Sequence, residues 1–426
     1  MTRETLREYQ DVPLFAAEAA VLTDLEQLLG RTIPKVTEIG MYTTGFTVEE
    51  YTVTGLGLYA KYLKTLPESF GNLRGLQALC LRANRLNSLP ESFGQLTKLK
   101  RLILSRNQLH SLPESLLPLT GLQELWLDEN QLHSLPESLL QLTGLQKLML
   151  FNNQLHSLPE SFGQLQNLQW LSLDYNQLSA FPETFGNLNN LKLLDLQGNK
   201  FSSLPETFSN LRSLQSLDLQ FNQLRTLPES FGNLTQLQSL HLDHNQLSSL
   251  PETFGALKNL KCLWLNSNAL KTLPESFGQL TGLQILDLAH NLLRTLPESF
   301  SNFRNLKSLR LVENPLQSFP PNILLLLQLC LSPNPATSQQ VLNVLQWIQI
   351  QGVSQLVLSF LVQEWKNLSD VTLLRLFKLV KIEEVSSVQL QAIRPVLLSL
   401  LLASSSSNVK LQAKQALKRL GETGSS

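Results

Sequence analysis

The sequence predicts an α/β repeat array, with a parallel sheet on one wall and short helical turns on the other, followed by an all-α segment. Three observations predict it. Proline recurs at 67, 90, 113, 136, 159, 182, 205, 228, 251, 274, 297 and 320, twelve positions separated by 23 residues without a slip. Asparagine keeps the same interval at 84, 107, 130, 153, 176, 199, 222, 245, 268, 291 and 314. From residue 336 onward that beat stops and apolar residues take helical spacing, as in Leu373, Leu376, Phe377 and Val380.

One unit reads Leu76-x-x-Leu79-x-Leu81-x-x-Asn84-x-Leu86-x-x-Leu89-Pro90-Glu91-Ser92-Phe93. Alternation in Leu79-Cys80-Leu81 turns the two leucines one way and residue 80 the other, as in a short strand. Asn84 carries two donors and an acceptor on a short side chain, so stacked copies can satisfy the backbone groups of the turns leaving the sheet. Pro followed by Glu suits the start of a short helical turn, because proline there loses no useful N–H and the carboxylate faces the positive end.

These residues strongly resemble the leucine-rich repeat family over about residues 53 to 334. The resemblance implies a curved solenoid, or horseshoe, with the parallel sheet concave and the helical turns convex. The first repeat starts at Val53, Leu56, Leu58, Leu63 and Leu66, with Lys61 at the ladder position, and is a capping type. The last is shortened: Leu329, Leu331 and Asn334 restore the strand signature 20 residues after Asn314. About 13 strands at ~4.8 Å give a sheet roughly 60 Å long, enough to hold a protein-sized partner.

Terminal repeats would expose core leucines, so both ends need covers. Residues 1–52 read as an N-terminal cap, with a helix over Leu14 to Leu29 closed by Gly30 and strand segments around Thr47 and Val53. Leu28-Leu29-Gly30-Arg31-Thr32-Ile33-Pro34, with Val53 to Leu58 after it, is similar to the prelude of certain archaeal and bacterial leucine-rich repeat proteins. Residues 53–335 are then the array and 336–426 a C-terminal helical domain or cap, its last helix following a loop over Ser404 to Asn408.

The chain has 34 basic and 34 acidic side chains, which removes the electrostatic argument for a nucleic-acid binder. Charge is unevenly placed: residues 1 to 60 hold 4 basic and 9 acidic side chains, and residues 364 to 426 hold 9 basic and 5 acidic. Between Asn314 and Gln363 there is no charged residue at all. Val341 to Val362 is long enough to span a bilayer, yet Asn343, Gln346, Gln349, Gln351 and Gln355 fall inside it, so the expectation is a packed helix and no transmembrane span. That stretch suits a dimer as well as an internal cap, and the oligomeric state is left open. Three scattered cysteines, Cys80, Cys262 and Cys330, form neither CxxC nor a disulfide framework, and charged residues follow Met1, so a cytoplasmic protein is expected.

Function is expected where the repeats differ. The residues between the strand leucines are Cys80, Ile103, Trp126, Met149, Ser172, Asp195, Asp218, His241, Trp264, Asp287 and Arg310, with Cys330 after them. With their neighbours they place Trp126, Met149, Phe151, Trp170, Tyr175, Phe221 and Trp264 on the concave face, aromatics of the kind that anchor interfaces. Beside them stand Asp174, Asp195, Asp218, Asp243 and Asp287, while Arg82, Arg101 and Arg106 make the early repeats basic. His241, His244, Asp218 and Asp243 raise the question of a metal or an acid–base pair, but no nucleophile stands beside an oriented base, and HExxH, GxSxG, a Walker loop and CxxC are all missing.

The expectation is therefore a non-catalytic, cofactor-free scaffold binding a protein partner through Trp126, Met149, Phe151, Trp170, Asp174, Tyr175, Asp195, Asp218, Phe221, His241, Asp243 and Trp264. The 23-residue Leu-Pro-x-x repeats are similar to the intracellular Ras-group-related leucine-rich repeat proteins, which implies a Ras-like small GTPase as the partner. The rival expectation makes the repeats a targeting module for an effector or membrane-associated helical tail.

Overall fold

The computed structural model describes residues 5–303, 305–311, 313–316, 394, 397, 398, 401, 404 and 406–422. The shortened last repeat, the uncharged span Val341 to Val362 and most of the C-terminal segment lie outside the described residues. The chain divides into two compact units, Met1–Leu263 and Trp264–Ser426.

The first unit opens with a hairpin of β1 (Leu6–Tyr9) and β2 (Val12–Phe15). Its two-residue turn holds Gln10 and Asp11 at φ 48° and 62°, the left-handed pair that matches strand twist. Because Leu14 and Phe15 pair with Arg7 and Leu6, helix α1 (Ala16–Leu29) starts two residues later than the sequence expectation. Gly30, at φ 63°, ends it, its N–H returning to the Glu26 carbonyl. Val21, Leu22 and Leu25 are buried, and the enclosed Glu18 carboxylate accepts the Val53 N–H at 2.8 Å. Ser69 Oγ donates to Asp24 at 2.9 Å, tying the same helix to the first repeat.

Next come β3 (Thr44–Glu49) and β4 (Thr52–Leu58), joined through Glu50 and Tyr51 at positive φ. A two-residue turn can only join antiparallel strands, so β3 runs against the rest of an otherwise parallel sheet. The repeat strands are three residues each: β5 (Ala78–Cys80), β6 (Arg101–Ile103), β7 (Glu124–Trp126), β8 (Lys147–Met149), β9 (Trp170–Ser172), β10 (Leu193–Asp195), β11 (Ser216–Asp218), β12 (Ser239–His241), β13 (Cys262–Trp264), β14 (Ile285–Asp287) and β15 (Ser308–Arg310). Strands β3 to β15 make a 13-stranded sheet in chain order. Equivalent residues pair in register, Leu194 with Leu171 and Leu217 for example, because every unit has the same length.

Asparagine closes each unit. Asn176 Oδ1 accepts the Leu155 N–H at 2.9 Å, one repeat back, and its Nδ2 donates at 3.0 Å to the carbonyls of Leu150 and Leu173. Asn84, Asn107, Asn130, Asn153, Asn199, Asn222 and Asn245 repeat this pattern, and Asn291 repeats it in the second unit. At the first rung Asn84 Oδ1 takes the N–H groups of both Lys61 and Leu63 at 3.0 Å, so the main chain of Lys61 is satisfied although its side chain cannot serve as a rung.

The opposite wall is made of 3-10 turns, such as Glu160–Gln164, each preceded by its proline in extended conformation. The proline carbonyl accepts the N–H three residues on, Phe162 to Pro159 at 3.0 Å, so the turn forms without a side-chain cap. Phenylalanines stack behind these turns: Phe70 on Phe93 and Phe162 on Phe185, both at 5.9 Å between ring centres. The glycine after each such ring is a close approach. A Cβ on Gly163 would lie 2.0 Å from the Thr184 carbonyl oxygen, so at this turn the backbones of consecutive repeats pack directly on each other.

In the second unit β14 pairs with β15, and Phe277 stacks on Phe300 at 6.2 Å. Helix α2 (Ser407–Glu422) follows the expected Ser404 to Asn408 start and buries Val409, Ala413 and Ala416 on one side. Among the described residues no helix is long and apolar enough to cross a membrane.

Asn176→Ala leaves the Leu155 N–H without a partner, at ~1–3 kcal/mol, and takes one of two amide donors from each of the Leu150 and Leu173 carbonyls, which keep Asn153 and Asn199. We expect a loss of about 2–4 kcal/mol in urea denaturation, against no measurable change for the exposed Lys258→Ala; equal midpoints for the two variants would show that the ladder does not carry the fold.

Candidate functional site: the open face of the sheet

The strand leucines point into the core and are fully enclosed, so the intervening residues form the sheet's other face. The first part of that face is not open. Residues 36–42 fold back across it as a strap: Ile39 packs on Cys80 and Ile103, with Val36, Met41 and Trp126 against the same cluster. The Cys80 thiol donates to the Met41 carbonyl at 3.4 Å, and the Arg101 guanidinium donates to the Ile39 carbonyl. Arg82 lies under the Tyr42 ring, 5.7 Å from its centre. Non-periodic apolar residues between helix and strand, Ile39-Gly40-Met41-Tyr42, were the available signal for this segment; its target was not readable from spacing.

The early arginines are already engaged. Arg82 approaches the enclosed Asp128 at 3.8 Å, and Asp128 also accepts Ser105 Oγ at 2.6 Å. Arg106 pairs with Glu129 at 2.6 Å. The basic end foreseen in the sequence is thus largely neutralised within the chain.

Beyond the strap the aromatics gather. Trp126, half-buried at the strap's border, meets Trp170 edge to face with ring centres 6.5 Å apart. Met149 is buried on the strand between theirs, its Cα paired with Trp126 and Ser172, and Phe151 is half-buried two residues on. Trp170, Tyr175 and Phe221 stand 38%, 53% and 48% exposed, and Leu193, which the sequence reading missed, is 38% exposed beside them. Tyr175 lies on Gly198, where a Cβ would come within 2.8 Å of the ring, and its hydroxyl accepts Gln197 Nε2 at 2.8 Å. Phe221 stacks on His244 at 4.3 Å.

Tyr175 and Phe221 occupy the position before the ladder asparagine, where each repeat turns through positive φ, here 53° and 54°. Glycine, present at Gly198, takes that conformation without steric cost, whereas a bulky side chain pays ~1–2 kcal/mol. Two exposed aromatics therefore occupy positions where a bulky side chain costs backbone strain.

Acidic residues adjoin them. Asp195 and Asp218 are direct register partners on adjacent strands, with Asp174 and Asp243 buried two residues after β9 and β12. Ser172 Oγ donates to Asp174 Oδ1, and the Gln197 and Gln220 N–H groups donate to Asp195 and Asp218 at 3.1 and 3.0 Å. Those bonds do not offset burial. Loss of solvent, reinforced by the charges of Asp174 and Asp218, pushes the Asp195 carboxyl up to about 7. Burial also raises Asp174, Asp218 and Asp243, and it lowers His241, whose Nε2 lies 3.4 Å from Ser239 Oγ. Trp264, half-buried, belongs to the second unit. Among the described residues no three His, Cys, Asp or Glu side chains are placed to hold a metal ion.

Sequence profiles described as leucine-rich repeat region match residues 54–148 and 182–268, and a second described as leucine rich repeat matches 120–178 and 259–316. The chain belongs to the leucine-rich repeat family. No curated protein matches it significantly. Among solved structures, a leucine-rich repeat protein of Leptospira interrogans is 35% identical, with 64% of this chain and 75% of that one covered and a TM-score of 0.56. The leucine-rich effector YopM of Yersinia pestis is 29% identical, covering 63% of this chain and 68% of that one at a TM-score of 0.50. A chain of the Toll–Spatzle complex of Drosophila is 26% identical at a TM-score of 0.51, and this leucine-rich repeat chain spans 62% of itself but only 41% of that one.

Asp195 fixes a pH signature. Its folded value near 7 exceeds the ordinary ~3.9 of an unfolded aspartate, so between about pH 4 and 7 the unfolded chain has lost a proton that the folded chain keeps, and stability falls as pH rises through that window. Asp195→Asn removes that loss: we expect its melting temperature to exceed wild type by ~2–4 °C at pH 8 and to match it at pH 4. A constant offset at both pH values would contradict the raised carboxyl.

Proposed function

We propose that this leucine-rich repeat protein is a non-catalytic scaffold that docks a partner protein on the open face of its sheet, from Trp126 to Asp243, with Trp264 continuing the same column in sequence. The observation that carries the reading is the set of exposed aromatics, Trp170, Tyr175 and Phe221, standing on sheet positions that the fold does not need them to fill. Leucine-rich repeat folds generally mediate protein–protein contact, and one similar solved chain belongs to the Toll–Spatzle complex.

In this reading residues 1–52 cap the array, 53–335 carry the docking face and 336–426 close the other end, in the cytoplasm. The Ras-like small GTPase implied by the 23-residue repeats is the first partner to test, on that resemblance alone.

The test uses the full chain as bait in a lysate of its source, beside Trp126→Ala/Trp170→Ala with unchanged circular dichroism. A partner held by wild type and lost at least tenfold from the variant places binding on this face. Equal capture by both baits would remove the face from the function.

A further inference from the structure

We infer that the partner presents an extended segment with arginine or lysine at alternate positions, laid across the strands over Asp174, Asp195, Asp218 and Asp243 and held between Tyr175 and Phe221. The inference rests on the docking face proposed above and gives that face an occupant by charge.

Carboxylates on this sheet fall into two groups. Glu124 has Lys147 at 2.9 Å, Asp128 has Arg82, Glu129 has Arg106, and in the second unit Asp287 receives the Arg310 guanidinium at 3.1 Å. In each of these pairs the cation comes from another repeat of this chain. Asp174, Asp195, Asp218 and Asp243 have no Lys or Arg within 4.0 Å among the described residues. The register partners of Asp195 are Ser172 and Asp218, and the far partner of Asp218 is His241. Asp287 shows that an aspartate in this column binds a guanidinium when the neighbouring strand supplies one; the four central acids require it from outside.

Geometry sets the spacing. From the strand of Asp174 to that of Asp243 is three strand intervals, ~14 Å in all. Alternate side chains of an extended chain are ~7 Å apart, so three alternate cations cover that distance. The rims suit the same chemistry, since exposed Tyr175 and Phe221 offer ring faces to a guanidinium. Other titratable groups facing the acids are His241 and His244, and burial keeps His241 toward its neutral form. A partner cation would also draw the Asp195 carboxyl into its ionised form, which ties binding to proton release.

The probe is a fluorescein-labelled Arg-Gly-Arg-Gly-Arg peptide, against its citrulline counterpart, read by anisotropy with the full chain. We expect at least tenfold tighter binding of the arginine peptide, weakening with salt and strengthening several-fold from pH 6 to pH 8. Asp195→Asn/Asp218→Asn, a pair that should fold at least as well as wild type, is expected to lose at least tenfold, whereas Glu160→Gln/Glu183→Gln on the 3-10 wall should bind unchanged. Equal binding of both peptides, no binding at millimolar concentration, or equal loss from the 3-10 wall variant would overturn the inference. Self-association abolished by Asp195→Asn/Asp218→Asn, without peptide binding, would assign the acids to a second copy and overturn it as well. A lysate partner lost with Trp126→Ala/Trp170→Ala but retained by Asp195→Asn/Asp218→Asn would sink the basic segment alone and leave the docking face standing.

Discussion

Every repeat must hide a turn of backbone between two sheets of leucine and phenylalanine, and the side-chain amide of one asparagine per unit makes that possible. A buried N–H or C=O without a partner costs about as much as several methylenes of apolar contact return. The amide satisfies groups in its own repeat and in the one before, so the rungs are coupled, and the unit length is locked at 23 residues. Equal units bring equivalent leucines side by side on successive strands, as Leu171, Leu194 and Leu217 are. Proline, the stacked phenylalanines and the glycine beside them then follow as the matching requirements of the opposite wall.

With the fold carried by the ladder and the leucines, the other sheet face is released from folding duty. That freedom explains why the column from Cys80 to Arg310 varies in size, charge and polarity while the leucines either side of it do not. It also gives meaning to strain: a position before the rung that glycine fits best holds tyrosine in one repeat and phenylalanine two repeats later. The strap over Cys80 and Ile103 is the complementary case, where the chain covers part of its own face with apolar side chains and occupies the arginines there.

What could be read from the sequence was whatever depends on local pattern repeated many times. The strands, the rungs and the helical turns were legible because a dozen copies average out local ambiguity, and Gly30 was legible as a helix end because only glycine takes φ 63° cheaply. The β1–β2 hairpin was not, since Leu6–Tyr9 alternates too briefly to separate from a helix start. The strap was illegible for a different reason: nothing local in Ile39 indicates that it rests on Ile103, a contact made only once the sheet exists. For the face itself, the sequence placed Asp195 beside Asp218, but the strength of the effect on Asp195 comes first from burial and then from the charges of Asp174 and Asp218, and burial is not written in the local sequence.

That burial decides how the acids are to be understood. Had Asp195 and Asp218 been fully solvated, water would screen them and their proximity would cost a few tenths of a kcal/mol, within what any surface tolerates. Half-enclosed, with neighbouring carboxylates and only backbone N–H groups for relief, Asp195 instead carries its proton near neutral pH, so the free protein settles its own repulsion by leaving charge unexpressed. Elsewhere on the same sheet the chain takes the other solution and provides a cation from another repeat, as Lys147 does for Glu124. Two solutions on one regular surface divide it into a part that is electrostatically complete and a part that is not. The incomplete part coincides with the exposed aromatics.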